Sequence, residues 1–380
     1  MDKPDASAAG DAAPRAAAPA TTFEGVQILR GLAAALVVFH HMCWVITTYH
    51  PQRSSIASFY KLAELGAGGV DIFFCISGLV IAHAARRLLA DTAAARTFAW
   101  RRLLRVLPPY WIFTGVLLLL WAIRVGLQDL NVTPGLVVAS FLLIPWPKTT
   151  GAGSLSYHPI LDVGWTLTFE MYFYAVCTLV IAIVGGRRIW PWAAAAIAAI
   201  AALSVALFGA NAVASQTLAS PLLVEFIGGV LIARSLAGRT SRRIGWALIA
   251  LGGAGFVASI FVRDPMTWRV LCWGVPGAAI VAGAVMLPVA LTSRTLRLLG
   301  FLGTASYTIY LVHPFFTLAA GTLLKRGVMA RIPADPLLLL LTFVAIFASA
   351  FAWFFVEGPL IRLLKPRSRT AALARASLGS

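Results

Sequence analysis

Residues 28–46 read ILRGLAAALVVFHHMCWVI, an apolar run of membrane-spanning length that nonetheless carries Arg30 and, eleven residues later, His41. Hydrocarbon solvates ionisable groups poorly, so a cation and a base inside such a run mark either function or a structural partner. At ~100° per residue, eleven residues turn ~1100°, within ~20° of three whole turns, which puts Arg30 and His41 on one helix face ~16 Å apart along the axis. His40 points ~100° away from that face and reads as a structural hydrogen-bonding residue. Arg30 is a fixed cation near one boundary, whereas His41 is a group that exchanges protons near neutral pH, close to the midplane. The pair suits an enzyme or a conduit better than an inert anchor.

The rest of the chain repeats the apolar pattern. Its 380 residues are 60% hydrophobic and 12% charged, and the mean hydropathy is +0.85. Soluble domains carry about 25% charge and 45–50% apolar residues. Runs of about twenty apolar residues, rather than alternating segments of about ten, exclude a β-barrel. The fold predicted is therefore an all-α polytopic integral membrane protein. Spans are drawn at 26–48, 66–85, 106–124, 161–184, 190–210, 217–236, 245–262, 269–291, 299–324 and 337–358, ten in all. The apolar run 135–146 is too brief to cross and is expected to re-enter or lie at the interface. Residues 1–24, rich in Ala and Pro with no apolar core, predict a disordered cytoplasmic lead rather than a signal peptide. The membrane domain is placed at 25–362 and a basic cytoplasmic tail at 363–380. Cys43, Cys75, Cys177 and Cys272 all fall in apolar spans, with neither disulfide nor zinc spacing.

A net charge of +17 raises nucleic acid as a partner, but the placement of the charges argues against it. With ten spans and both termini cytoplasmic, 21 Lys and Arg residues fall inside and 9 outside, Arg30 being intramembrane. Counting 135–146 as an eleventh span changes the split to 14 inside and 16 outside. The positive-inside bias therefore favours ten spans, and the basicity is a topology signal.

Further polar residues need a reason for being in or beside the membrane. Glu170, in GWTLTFEMYFYAV, is nine residues into its span, ~13 Å deep and level with His41; it could orient that imidazole or pair a buried cation. Trp165, nearer the outer boundary, fits an aromatic belt or a sugar platform. Asp71, after Gly66, Gly68 and Gly69, could bind an acceptor hydroxyl or pair Lys61. Arg101, Arg102 and Arg105 precede the third span, and the Arg-x-x-Arg spacing presents two guanidinium forks on one face, a geometry suited to phosphate; positive-inside retention also accounts for them. Pro108 and Pro109 are expected in the first turn of that span. Glu225 reads as structural. His313, Ser306, Tyr307 and Tyr310 form a stripe whose simplest role is helix packing. Glu357 closes the last span, where it could pair Arg362 or stand at a cofactor mouth. No P-loop, zinc-ligand spacing or nucleophile elbow is present, which argues against an ATP-driven pump.

Taken together, LRGLAAALVVFHH, GVDIFFCISGLVI, RRLLRVLPPYW, GWTLTFEMYFY, SYTIYLVHPF and FVEGPL resemble the membrane acyltransferase-3 family in order and content, over residues 26 to about 362. The GWTLTFEMYFY form is most similar to exopolysaccharide and O-antigen O-acetyltransferases. Met171 stands where the family often has a second acidic residue, and the esterase-like C-terminal domain of some members is not expected here. The resemblance implies a multi-pass protein of the bacterial inner membrane. It implies acetyl transfer from cytoplasmic acetyl-CoA, a donor substrate rather than a resident cofactor, to a sugar hydroxyl of an exported or lipid-linked glycan, alongside polysaccharide synthesis or export proteins. On that reading Arg102, Arg105, Arg101 and Glu357 attend the donor, and Arg30 positions its arm. His41 acts as general base or acyl carrier with Glu170 beside it, and Asp71, Trp165, Tyr307 and His313 face the acceptor. No metal is expected. The rival reading is a transporter or flippase for a glycan or acyl compound, which moves its cargo without acyl transfer.

Overall fold

The computed structural model describes residues 23–58, 60–125, 127, 130–149, 155–236 and 238–364, without the side chains of 57–62. Most of the expected lead and tail, and the Lys61 side chain, lie outside the described residues. Thirteen helices organise the described part: α1 (Glu24–Tyr49), α2 (Gly69–Ala85), α3 (Thr92–Ala122), α4 (Pro134–Leu142), α5 (Trp165–Val184), α6 (Ile189–Phe208), α7 (Leu223–Leu236), α8 (Arg242–Ser259), α9 (Val275–Met286), α10 (Arg294–Thr304), α11 (Ser306–Lys325), α12 (Ala334–Ala352) and α13 (Glu357–Leu364). Short helical turns at 55–58, 60–67 and 213–218 join them, with one two-residue hairpin, β1 (Lys148–Thr149) and β2 (Leu155–Ser156).

The chain is an all-α polytopic membrane protein. Among the described residues eight helical stretches are long and apolar enough to cross a bilayer: Glu24–Tyr49, Ala63–Ala85, Thr92–Ala122, Asp162–Val184, Gly186–Phe208, Val213–Leu236, Ser306–Lys325 and Ala334–Leu364. The two other expected spans correspond to α8 and to the shorter apolar helix Val270–Met286, whose first turn is wound as a π-helix. Helix α4 has nine residues, capped at one end by Thr133 and ended by Leu143 in the left-handed region. Tyr110 and Trp111 of α3 donate to the carbonyls of Ser140 and Phe141, at 2.7 and 2.8 Å, and pin its C-terminal end.

Two boundaries differ from expectation: the span drawn at 299–324 is broken at Ala305 into α10 and α11, and the start of the third span moves. The third span is not a helix begun by Pro108 and Pro109; both prolines lie inside α3, which starts at Thr92 under an Asp91 cap. Asp91 accepts from the Ala93 and Ala94 amides, so the helix nucleates before the prolines and runs through them.

Backbone proximity sets the packing. Lipid tails are as apolar as leucine, so helix association in a bilayer leans on close van der Waals fit. A Cβ at Gly229 of α7 would stand 1.8 Å from the Cys75 carbonyl oxygen of α2, and one at Gly78 would stand 1.9 Å from that of Phe226. Likewise a Cβ at Gly303 of α10 would stand 1.7 Å from the Gln27 carbonyl of α1. These two seams bring α2 onto α7 and α1 onto α10, and leave α1, α2, α3, α5 and α11 around a common polar interior.

Candidate functional site

Among the described residues the polar interior holds a cavity, a groove and a third space. A cavity of about 110 Å³ lies among α1, α2, α3, α5 and α11, lined by Arg30, Ser77, Arg102, Arg105, Thr166, Glu170, Tyr174, Tyr307 and Tyr310 together with apolar residues. Arg102 and Arg105 also line a larger groove of about 1370 Å³, with Arg96, Arg101 and Glu357, between α3 and α13. The two arginines therefore stand between groove and cavity. A third space of about 750 Å³ is lined by His40, His41, Trp44, Tyr49, Lys148, Asp162 and Lys325, with Val163 in its wall.

The cavity carries an excess of positive charge. Three guanidiniums face it against the single carboxylate of Glu170. Among the described residues the ion pairs are Lys148–Asp162, His158–Asp162 and Arg269–Asp71, so none of these three arginines is in one. Glu170 accepts hydrogen bonds from Ser77 at 2.9 Å and from Tyr174. Arg30 donates to Gln27 at 3.5 Å, and Gln27 in turn donates to Thr304 at 3.1 Å, a relay that aims the guanidinium. Tyr307 donates to the Val106 carbonyl at 2.7 Å and closes the cavity against α3.

The histidine pocket is different in kind. Nδ1 of His41 lies 2.8 Å from the Val37 carbonyl. A carbonyl only accepts, so Nδ1 carries a proton, and in the neutral ring the lone pair is on Nε2. His40 is held the same way by the Ala63 carbonyl at 2.7 Å, the structural bond expected of it. His313 bonds the Ile309 carbonyl at 3.1 Å, is fully buried, and packs its ring 4.9 Å from that of His41. One of the pocket's two lysines is matched: buried Lys148 donates to Asp162 at 2.9 Å and to the Pro159 carbonyl at 2.8 Å, and His158, outside the lining, meets Asp162 at 3.2 Å. Lys325 rests over the Tyr49 ring.

Between cavity and pocket stands a hydrogen-bonded wall. The Tyr310 hydroxyl donates to the Val163 carbonyl at 2.9 Å and accepts from the Thr166 hydroxyl at 2.8 Å. Tyr310 and Thr166 face the cavity, and Val163 faces the pocket.

Several expected placements change. Glu170 is not beside His41; depth along one helix fixed its level but not its direction, and the side chain turns to Ser77 and Tyr174 on the arginine side. Asp71 is wholly buried and does not face an acceptor: Arg269 grips both its oxygens, at 3.0 and 2.8 Å, with Glu225 alongside. Trp165 packs against His158 and that same Arg269 instead of offering a free platform. His313 lies behind His41, and Tyr307 faces the arginine cavity. Glu357 accepts from Thr308 at 2.6 Å, and Arg362 donates to the Gly358 carbonyl, so the expected end-of-helix pair is not formed. Ser77, Tyr174, Thr166 and Gln27 escaped the sequence reading, because neutral polar residues in apolar runs carry no charge signal. Tyr310, which reads as packing in the sequence, is part of the wall.

A multi-pass helical membrane protein with an arginine-rich cavity behind an arginine groove and a histidine pocket beyond is the class that fold and site define. The profile of an acyltransferase domain matches residues 23–356, and the chain belongs to the acyltransferase-3 family. It is similar to the exopolysaccharide production protein ExoZ of Rhizobium meliloti (strain 1021), with 30% identity over 314 residues, 82% of this chain and 94% of that protein. It is also similar to the acyltransferase MdmB of Streptomyces mycarofaciens, with 29% identity over 340 residues, 82% of this chain and 84% of that one. No solved structure matches it.

Proposed function

We propose that this membrane acyltransferase moves an acetyl group from acetyl-CoA to a sugar hydroxyl of an exported polysaccharide or its lipid-linked precursor. In this reading it works in a bacterial inner membrane with both termini cytoplasmic, beside polysaccharide synthesis or export proteins. The observation that carries the reading is the shared position of Arg102 and Arg105, which face both the groove and the cavity, with no carboxylate paired to them among the described residues. Guanidinium forks suit phosphates, so the groove would take the nucleotide end of the donor and the cavity its acyl arm. Arg30 and the Ser77–Glu170–Tyr174 cluster would then line the arm's path. ExoZ, by its name, serves exopolysaccharide production, which supports a glycan acceptor.

The chemistry follows from the His41 tautomer. Nε2 takes the proton of the acceptor hydroxyl as its oxygen attacks the thioester carbonyl. The carbon–sulfur bond breaks, and the proton passes to the departing CoA thiolate. For hydroxyl and thioester to meet, the wall at Tyr310 and Thr166 must open, since it parts the cavity from the pocket.

The test is thiol release from acetyl-CoA by the purified full-length protein. Release that depends on an added sugar acceptor, with acetyl recovered on the sugar, supports the reading. Movement of a glycan across proteoliposomes without loss of acetyl-CoA would replace it with transport.

A further inference from the structure

A second basic concavity stands apart from both chambers. It encloses about 220 Å³ and is lined by His83 and Arg86 at the end of α2, Arg187 and Trp190 around the turn before α6, and Arg234 near the end of α7, without Asp or Glu among its lining residues. Arg86, Arg187 and Arg234 are each exposed, and none takes part in an ion pair among the described residues. The Arg234 guanidinium lies over the Trp190 ring, 5.8 Å from its centre.

Backbone packing builds this convergence. A Cβ at Gly186 would fall 1.9 Å from the Ala85 carbonyl oxygen, and the Gly186 amide donates to Leu88 at 3.0 Å. Only glycine lets the turn press so closely onto the end of α2, and that contact carries Arg187 to Arg86. Positive-inside retention asks for arginines at a membrane boundary. It does not ask three of them, from segments far apart in sequence, to close round one hollow with a tryptophan in its wall. Guanidinium groups are weakly hydrated planar forks that match phosphate oxygens, and basic pockets between the ends of membrane helices suit anionic headgroups.

We propose that this pocket binds a phosphate anion, carried either by the headgroup of an anionic membrane lipid or by a soluble phosphate. The site does not rest on the acyl-transfer reading.

The experiment uses the purified full-length protein in neutral detergent, read by thermal unfolding and by native mass spectrometry. The probes are short-chain phosphatidylglycerol, short-chain phosphatidylcholine and inorganic phosphate. The variant is Arg86→Gln, Arg187→Gln, Arg234→Gln; its control, with the same charge loss outside the pocket, is Arg239→Gln, Arg242→Gln, Arg243→Gln. The expected result is stabilisation by phosphatidylglycerol over phosphatidylcholine, weakened about a hundredfold in the pocket variant, at about fivefold per arginine, and kept in the control. Stabilisation by inorganic phosphate, lost in the same variant, also supports the site and assigns it to a soluble source. Equal response to both lipids with none to phosphate, no response to any probe, or equal loss in both variants overturns the proposal. If the triple variant does not fold, Arg187→Gln alone is expected to weaken binding about fivefold, and unchanged binding in it overturns the proposal.

Discussion

The arginine cavity and the histidine pocket are both polar spaces in one helical bundle, yet they handle charge in opposite ways. In the cavity, Arg30, Arg102 and Arg105 face a single carboxylate that is already engaged by Ser77 and Tyr174. In the pocket, Lys148 is matched by Asp162, and His40 and His41 are fixed through Nδ1 by backbone carbonyls. Under the proposed function, the arginines shared with the groove meet the donor's phosphates, the cavity takes its acyl arm, and His41 in the pocket receives the acceptor's proton.

Breaking the base should do most harm. His41→Ala is expected to lower acetyl transfer by about 10²–10⁴-fold, the usual worth of a general base, while the protein remains folded in the membrane. The check is acetyl-sugar formation per mole of monodisperse protein.

A charge pair in neither chamber separates stability from catalysis. Asp71→Asn leaves Arg269 unmatched and should cost about 3–5 kcal/mol of stability, seen as a lower unfolding temperature. Turnover per folded molecule should stay as in the parent, and a fall in turnover with unchanged stability would return Asp71 to the site.

Removing one fork from the cavity is expected to act on the donor alone. Arg102→Ala should weaken acetyl-CoA binding about 10–10²-fold, from ~1.5–3 kcal/mol for hydrogen bonds to a charged group. The acceptor KM should not move; steady-state kinetics with each substrate varied decides.

The smallest effect belongs to the wall. Tyr310→Phe deletes the hydroxyl that ties Val163 to Thr166, a loss of ~1 kcal/mol. Thiol release without an acceptor should rise about fivefold, at the rate expected if the wall opens that much more often.

These contrasts were partly legible in the sequence. Apolar runs and charge placement gave the helical membrane fold and singled out 135–146, which is the nine-residue α4. Helical spacing puts Arg30 and His41 at two levels of one helix face, and Arg30 lines the cavity while His41 lines the pocket. Rotation between helices was not legible: Glu170 finds Ser77 across 93 residues, and Arg269 finds Asp71 across 198. Hydropathy reports depth, whereas such pairings depend on how each helix turns against its neighbours, which the Gly78–Phe226 and Gly303–Gln27 approaches set. The turn at Ala305, between α10 and α11, was likewise hidden inside one continuous apolar stretch.

The division of labour between the two chambers is tested most directly by acetyl-CoA binding to His41→Ala, measured by calorimetry beside Arg102→Ala. The account predicts that His41→Ala binds acetyl-CoA as tightly as the parent while transferring about 10²–10⁴-fold more slowly, and that Arg102→Ala binds it weakly. Lost donor binding in His41→Ala, or transfer at the parent's rate, would contradict it.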